Sequence, residues 1–341
     1  MMKKDHFDSE KMRKIIQSPL QIGNVIVKNR LALAPLAGTT EVVFRSICNQ
    51  FNVGLTTTEL VSARGICYDP KLIRNYCYLE IDPTKEDQVS IQLFGHDPAD
   101  FTKAAQIILQ HPVLGKCSML DINMGCPMKK IVKQGAGSAL LTNPILAQRI
   151  VNSTAEVAAR YNKPVSVKIR SGWDRESINA PEFAKLMQEA GSAMITIHAR
   201  TREQIYSGSA DWNVIKQTVE QVSVPVYGNG DLTDLDSISK MYDQTGCAGF
   251  AIGRAALGNP WIFREILNNS CRPDRVDLVE VIVKHLDGMI VKIGDESVAI
   301  KKMRPQLASY LKGKRNAAKI RNLIMKANSK QEILEILNLI Q

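Results

Sequence analysis

The sequence lacks an apolar run that approaches the ~18 residues of a membrane-spanning helix. It also lacks the apolar core of a secretory signal, because polar side chains dominate the opening stretch MMKKDHFDSEKMRK. We therefore expect a cytoplasmic protein that has no membrane partner.

The seven cysteines lack the C-x-x-C spacing of zinc sites and redox pairs, since they stand far apart at 48, 67, 77, 117, 126, 247 and 271. No metal site is predicted, and most of these thiols are expected to be reduced and buried. A G-x-G-x-x-G fingerprint after a strand is missing as well, so the sequence does not predict a resident NAD.

Acidic residues are absent between Lys301 and Lys330, although this stretch holds ten lysines or arginines. The whole chain carries a formal net charge of +10. A basic stretch of this kind is typical of a surface that binds phosphate-rich partners, and a solvated helix face is the ordinary alternative.

Eight strand-like apolar runs alternate with segments of helical periodicity in this chain of 341 residues. Such alternation indicates right-handed βαβ units and a parallel sheet. Eight units of this size predict a (β/α)8 TIM barrel, and an open doubly wound sheet is the alternative because a sequence does not show closure. The runs are RLALAP (30–35), GLTTTE (54–59), QVSIQLFG (88–95), MLDINMG (119–125), VSVKIR (165–170), AMITIHAR (193–200), VPVYGNGD (224–231) and AGFAIGR (248–254).

The strand pattern stops near residue 271, and four amphipathic segments follow it: DLVEVIVKHLDGMIVKIG, AIKKMRPQLASYLKG, NAAKIRNLIMKA and KQEILEILNLI. We therefore divide the chain into a polar N-terminal arm at 1–17, a catalytic barrel at 18–271 and a small helical domain at 272–341. The acid-free basic stretch lies within the helical domain.

Polar side chains gather at the C-terminal ends of the predicted strands, where barrel enzymes hold their sites. Gln92, Asn123, Lys168 and His198 interrupt otherwise apolar runs, and burying such groups costs free energy unless partners exist. Glycine-containing turns after the last two strands, in GNGD and IGRAALGNPW, would bind phosphate at helix N-termini. The residues alone therefore predict a phosphate-bearing cofactor at the barrel mouth.

These segments together resemble the tRNA-dihydrouridine synthase family, and within it the bacterial B-type branch. The most specific matches are DINMGCPMKKIVKQGAGSALL and TIHARTREQIYSGSADW. Further matches are LALAPLAGTTEVVFRSIC, SIQLFG, VKIRSGWD, VYGNGDL, GFAIGRAALGNPWIF and MRPQLASYLKG. The resemblance implies an FMN-binding TIM barrel followed by a helical tRNA-binding domain. It also implies reduction of the C5–C6 double bond of uridines in tRNA, with NADPH or NADH reducing the FMN.

The resemblance assigns roles residue by residue. Cys126 matches the family's proton donor, and the substrate-binding residues would be Asn123, Lys129 and Arg200. The FMN-binding residues would be Pro35, Leu36, Ala37, Gln92, Lys168, His198, Asn229, Gly230, Asp231, Gly253 and Arg254.

The implied chemistry places a requirement on the Cys126 thiol. A hydride from flavin N5 must be matched by a proton from the other face of the uracil ring, and an unperturbed thiol is mostly protonated at neutral pH. Lys129 and Lys130 oppose this role because nearby cations lower a thiol pKa. We therefore expect both lysines to point towards RNA phosphates.

Other functions remain open at the level of sequence. The same chemistry could act on ribosomal RNA, an FMN barrel could reduce a small pyrimidine, or an RNA-binding protein could keep the fold without activity. The basic helical region disfavours a small substrate, and the presence of Cys126, Lys168 and His198 disfavours an inactive protein. No protein partner is implied, and we expect a monomer.

Overall fold

The computed structural model describes residues 9–270 and 273–340. It begins with helix α1 (Ser9–Gln17), whose Met12 and Ile16 are buried against the body of the protein. An antiparallel hairpin of β1 (Leu20–Ile22) and β2 (Val25–Val27) follows. Residues 9–17 of the predicted polar arm are thus helical, because apolar side chains recur there at helical spacing. Residues 1–8 of the arm lie outside the described residues.

Eight parallel strands form a barrel after the hairpin. Each strand pairs with its neighbours around the ring, and the ring closes where Ala32 pairs with Leu55 beside the pairing of Leu33 with Ile252. The predicted TIM barrel is confirmed, and each predicted run contains one observed strand, except that the strand of AMITIHAR begins one residue earlier, at Ser192. The strands are β3 (Leu31–Leu33), β4 (Thr56–Thr57), β6 (Val89–Phe94), β7 (Met119–Met124), β8 (Val165–Arg170), β9 (Ser192–His198), β10 (Val226–Asn229) and β11 (Gly249–Ile252), and the short β5 (Val61–Ser62) continues the β4 edge of β6.

Helices surround the barrel, and six of the ten named below begin after a residue whose side chain caps the first turn. Asp97 accepts a hydrogen bond from the Ala99 N–H ahead of Pro98, and Asp234 with Ser237 forms a capping box. The helices are α2 (Val42–Gln50), α3 (Ala63–Cys67), α4 (Tyr76–Leu79), α5 (Pro98–Gln110), α6 (Lys129–Val132), α7 (Pro144–Ala159), α8 (Ala180–Glu189), α9 (Trp212–Gln221), α10 (Leu235–Thr245) and α11 (Ile262–Asn268).

The C-terminal region contains the four predicted helices, α12 (Arg275–Ile293), α13 (Glu296–Tyr310), α14 (Ala317–Ile324) and α15 (Lys330–Leu337). The predicted boundary between 271 and 272, and Cys271 with it, lies outside the described residues. In the two ranges that the structure describes, every helix is too short or too polar to span a bilayer.

The helical region is joined to the barrel through buried contacts between α2, α12 and α13. The His285 ring stacks on Phe44, with ring centroids 5.6 Å apart. Its Nε2 lies 3.2 Å from Glu41 Oε1, and its Nδ1 lies 3.0 Å from the Tyr310 hydroxyl. Glu41 also caps α2, so this polar group connects the helical region to the loop that follows β3.

Candidate active site

A cavity of about 810 Å³ opens at the C-terminal ends of the barrel strands. Two of the fifteen predicted site residues do not line it. Arg200 is buried behind the wall, and Lys129 is exposed on α6. The predicted residues that do line the cavity are Pro35, Leu36, Ala37, Gln92, Asn123, Cys126, Lys168, His198, Asn229, Gly230, Asp231, Gly253 and Arg254.

Strand register brings these residues together although they are far apart in the chain. Asn123 of β7 pairs with Lys168 of β8, and His198 of β9 pairs with Asn229 of β10. Because side chains alternate between the two faces of a strand, residues in register with one another share the interior of the barrel. The polar ring predicted from the sequence is thus one layer of the barrel wall near its mouth.

Cys126 lies in a turn that is held from both sides. Its backbone N–H donates to Asn123 Oδ1 over 2.9 Å, and its carbonyl accepts from the Ser138 N–H and hydroxyl. Gly137 packs so closely that a Cβ there would come within 2.8 Å of the Cys126 carbonyl oxygen. The turn therefore fixes the backbone that carries the thiol at the cavity wall.

The thiol of Cys126 is neutral at physiological pH. Burial raises its pKa above the ordinary value, against smaller lowering contributions from the Met128 backbone N–H, Arg170 and Lys168. Lys130 is exposed on α6, as Lys129 is, and neither lysine is among the charges that shift this pKa. A neutral thiol can donate a proton, which a thiolate cannot do.

Lys168 contributes a buried amine to this polar layer. Its Nζ donates to Asn229 Oδ1 over 3.3 Å, while the Asn229 amide donates to the Ala251 carbonyl. Burial and the neighbouring Arg170 charge lower its pKa to about 8. A bound anion would favour the protonated amine, so the position suits an anionic ligand.

His198 stands beside an ion pair between the buried Arg200 and the exposed Asp231. Burial and then the charges of Lys168, Arg170 and Arg200 lower its pKa to about 2, so the ring is neutral. Arg200 binds both Asp231 carboxylate oxygens, over 2.7 and 2.8 Å, and also donates to the Gly208 carbonyl. Arg200 therefore anchors the loop after β10 from behind the cavity wall.

Arg170, Tyr206 and Arg254 complete the mouth of the cavity. Of these, only Arg254 was among the site residues assigned from the sequence. Arg170 donates to the Gly125, Thr201 and Ile205 carbonyls. The Arg254 guanidinium lies 4.8 Å from the centroid of the Tyr206 ring. Arg170 follows Lys168 by two residues on the same strand, and this period-two spacing is the signal that could have placed it in the cavity.

The turns after β10 and β11 can admit a phosphate group. Gly230 has φ +123°, and a Cβ there would come within 2.8 Å of the Ala210 Cβ. A Cβ on Gly253 would meet no atom closer than 3.9 Å, so the backbone borders open space. Arg254, whose side chain is half exposed, lies beside this opening. A phosphate at this position would meet backbone N–H groups and a guanidinium fork, which is the usual donor set for that group.

The basic stretch reaches the same cavity. Lys312, two residues after the end of α13, is exposed and lines the mouth. Most other lysines and arginines of 301–330 are also exposed, including Lys319, Arg321 and Lys326. Lys312 therefore brings a cation of the helical region to the mouth of the site.

Comparison with known proteins identifies close relatives over most of the chain. A family model described as dihydrouridine synthase (Dus) matches residues 32–341. The chain is 35% identical over 302 residues to tRNA-dihydrouridine synthase B of Pasteurella multocida (strain Pm70), covering 86% of this chain and 87% of that protein. It is 39% identical over 250 residues to tRNA-dihydrouridine synthase B of Pseudomonas aeruginosa, covering 73% and 72% respectively.

Solved structures share the fold at low sequence identity. A 2-naphthoyl-CoA reductase complex has a TM-score of 0.59 at 11% identity, covering 78% of this chain and 53% of that chain. The old yellow enzyme homologue from Zymomonas mobilis has a TM-score of 0.54 at 14% identity, covering 78% and 95%. These similarities establish the barrel architecture.

Proposed function

Because the chain belongs to the dihydrouridine synthase family, we propose that it reduces the C5–C6 double bond of specific uridines in tRNA, using FMN and NADPH or NADH. The observation that carries this proposal is the composition of the barrel mouth. A neutral thiol, a ring of cations and a glycine-lined phosphate opening share one cavity, and the exposed Lys312 of the basic stretch lines its mouth.

FMN is the cofactor that this cavity fits. Pro35, Leu36 and Ala37 would line the flavin, and Gln92 with Lys168 would contact its polar edge. The phosphate would be held at the ends of β10 and β11 by Asn229, Gly230, Asp231, Gly253 and Arg254. His198 would lie near it. When bound, the flavin supplies the hydride that the reduction requires. Lys168 would stabilise negative charge on it, because a cation at a developing anion lowers the barrier.

The protein's own contribution to the chemical step is a proton held at Cys126 Sγ. Carbon protonation needs a general acid that is still protonated at neutral pH, and burial keeps this thiol in that form. Asn123, which lies in the cavity wall beside the thiol turn, would contact the uracil. Uracil in folded RNA must leave its stack to reach this depth.

RNA binding is assigned to the helical region and to the rim. We propose that 272–341 act as the tRNA-binding domain and 18–271 as the catalytic barrel. Lys129 on exposed α6 would contact the RNA backbone. Arg200 would support the substrate indirectly, because its guanidinium is already occupied by Asp231 and Gly208. The chain would act as a monomer.

Substitution of the thiol tests the chemistry. We expect Cys126→Ala to keep the flavin absorbance of the purified protein and to lower dihydrouridine formation by about 100-fold or more, as for loss of a general acid. Cys77→Ser, which changes an exposed cysteine, is the matched control and should leave the rate unchanged. Near-normal dihydrouridine formation by Cys126→Ala would exclude Cys126 as the proton donor.

The RNA target is tested in cells. Deleting the gene and mapping dihydrouridine across tRNA and ribosomal RNA should remove it from defined tRNA positions only. Loss confined to ribosomal RNA would move the same chemistry to that substrate. Activity of the purified protein on free uracil would instead support a small-pyrimidine reductase.

A further inference from the structure

A buried carboxylate stands below the candidate site and has no role in the mechanism above. Asp121 of β7 is 4% exposed, and strand register places it between Gln92 of β6 and Ser166 of β8. Its carboxylate accepts from Gln92 Nε2 over 2.6 Å and from the Ser166 hydroxyl over 2.5 Å. Burial raises the pKa of Asp121 above its ordinary value, and these two hydrogen bonds and the Lys168 charge limit the rise.

The hydrogen bonds continue from Asp121 to the thiol turn. Gln92 Oε1 accepts from Asn123 Nδ2 over 2.9 Å. Asn123 Oδ1 in turn accepts from the backbone N–H groups of Gly125, over 3.2 Å, and Cys126, over 2.9 Å. One chain of bonds therefore connects the carboxylate to the backbone of the proton donor.

The two ends of this chain permit one orientation of both amides. A carboxylate only accepts, so Gln92 must turn its NH₂ group towards Asp121. Backbone N–H groups only donate, so Asn123 must turn its oxygen towards the Cys126 turn. The orientations thus follow from the partners and do not depend on how amide oxygen and nitrogen atoms were assigned.

We propose that Asp121 is a positioning residue that sets the hydrogen-bonding polarity of the cavity wall, a role that rests on the function proposed above. Each amide has two N–H groups and uses one within the chain of bonds, so one N–H of Gln92 and one of Asn123 remain. Both side chains line the cavity. Gln92 is fully buried and Asn123 is 8% exposed, so the remaining N–H of Asn123 would be the donor that the wall presents. A donor there would suit the carbonyl oxygens of a flavin or of uracil and disfavour an exocyclic amino group such as that of cytosine.

The first test removes the acceptor and keeps the shape. We expect Asp121→Leu to weaken FMN binding to flavin-free protein and to slow dihydrouridine formation, each by about tenfold, the range for an unsatisfied buried donor. Asp121→Asn keeps an acceptor and should stay within about threefold of the wild type. Ser90→Ala, on the same strand as Gln92, removes a buried hydroxyl that has no partner among the described residues and is the control for core disturbance. Wild-type FMN affinity and rate in Asp121→Leu would overturn the proposal.

The second test reads stability alone and needs neither flavin nor RNA. Gln92→Glu places two carboxylates, both acceptors, opposite each other and should lower the melting temperature. Adding Asp121→Asn restores a donor facing an acceptor at the wild-type net charge, so the double variant should melt several degrees above Gln92→Glu. A double variant that melts no higher than Gln92→Glu would overturn the proposal. The melting temperatures can be compared even if the wild type forms no dihydrouridine. This test therefore distinguishes failure of the inference from failure of the proposed function.

Discussion

The protonation state of one thiol decides whether the chemistry proposed for this site can proceed. The motif NMGCP places Cys126 after the fourth barrel strand, and the structure puts its side chain at the cavity wall. Sequence reasoning could not give the direction of its pKa shift. Lys129 and Lys130 lie three and four residues after Cys126 and would lower its pKa if they faced the thiol, whereas burial of the folded turn raises it.

Lys168 provides a pH-dependent test at the same scale. Burial lowers its pKa to about 8, so flavin-free protein loses this positive charge as the pH rises through that value. The carbonyl oxygens on the polar edge of a bound flavin favour the charged amine, and the affinity for FMN should therefore fall by up to about tenfold between pH 7 and pH 9. Fluorescence titration of flavin-free protein with FMN at both pH values measures the change.

The matched variant for that titration is Lys168→Gln, which keeps a polar side chain and removes the charge. Its FMN affinity should be lower than that of the wild type at pH 7 and nearly the same at pH 9. An equally steep pH dependence in Lys168→Gln would assign the titration to another group.

At the scale of elements, local patterns were sufficient for the barrel strands and the C-terminal helices. Alternation of apolar runs with helical periodicity predicted eight strands, and all eight form. The hairpin of β1 and β2 was not predicted, although Gly23-Asn24 between alternating apolar residues is a hairpin signal. The hairpin is stabilised by contacts with residues distant in the chain, because Ile22 and Val27 pack with Met119 and Tyr227 at the floor of the barrel.

The basic surface of α14 makes a prediction that belongs to this scale. Lys319, Arg321 and the following Lys326 are exposed, so their contacts with RNA should be electrostatic. We expect the triple change to Gln to weaken tRNA binding and to reduce the slope of log affinity against log salt by about two to three, close to one per lost phosphate contact. Filter binding at several salt concentrations measures this slope.

A control for the α14 variant comes from the outer helices of the barrel. Lys185 of α8 and Lys216 of α9 are also exposed, and changing both to Gln removes charge away from the helical region. This variant should retain the wild-type salt slope. Equal weakening by both sets of changes would indicate a general effect of net charge in place of a defined RNA surface.

The whole molecule depends on an interface that no local pattern could predict. Glu41 and His285 are 244 residues apart in the chain, yet they meet in the buried contact between α2 and α12. Burial raises the pKa of Glu41, but the bond to His285 and the N–H groups of Val43 and Phe44 bring it below its ordinary value. An ionised carboxylate is thus held between the barrel and the helical region, next to the loop that lines the cavity.

Removing the histidine should therefore affect both stability and cofactor binding. His285→Ala leaves a cavity and takes a partner from a buried carboxylate, so the free energy of unfolding should fall by about 2–4 kcal/mol. FMN binding should weaken as well, because Glu41 caps the helix that follows Pro35, Leu36 and Ala37. Lys284→Ala, at the exposed neighbouring position, should change the unfolding free energy by no more than about 0.5 kcal/mol. Urea unfolding and FMN titration measure the two effects, and unchanged FMN affinity in a destabilised His285→Ala protein would show that the interface stabilises the fold without ordering the flavin loop.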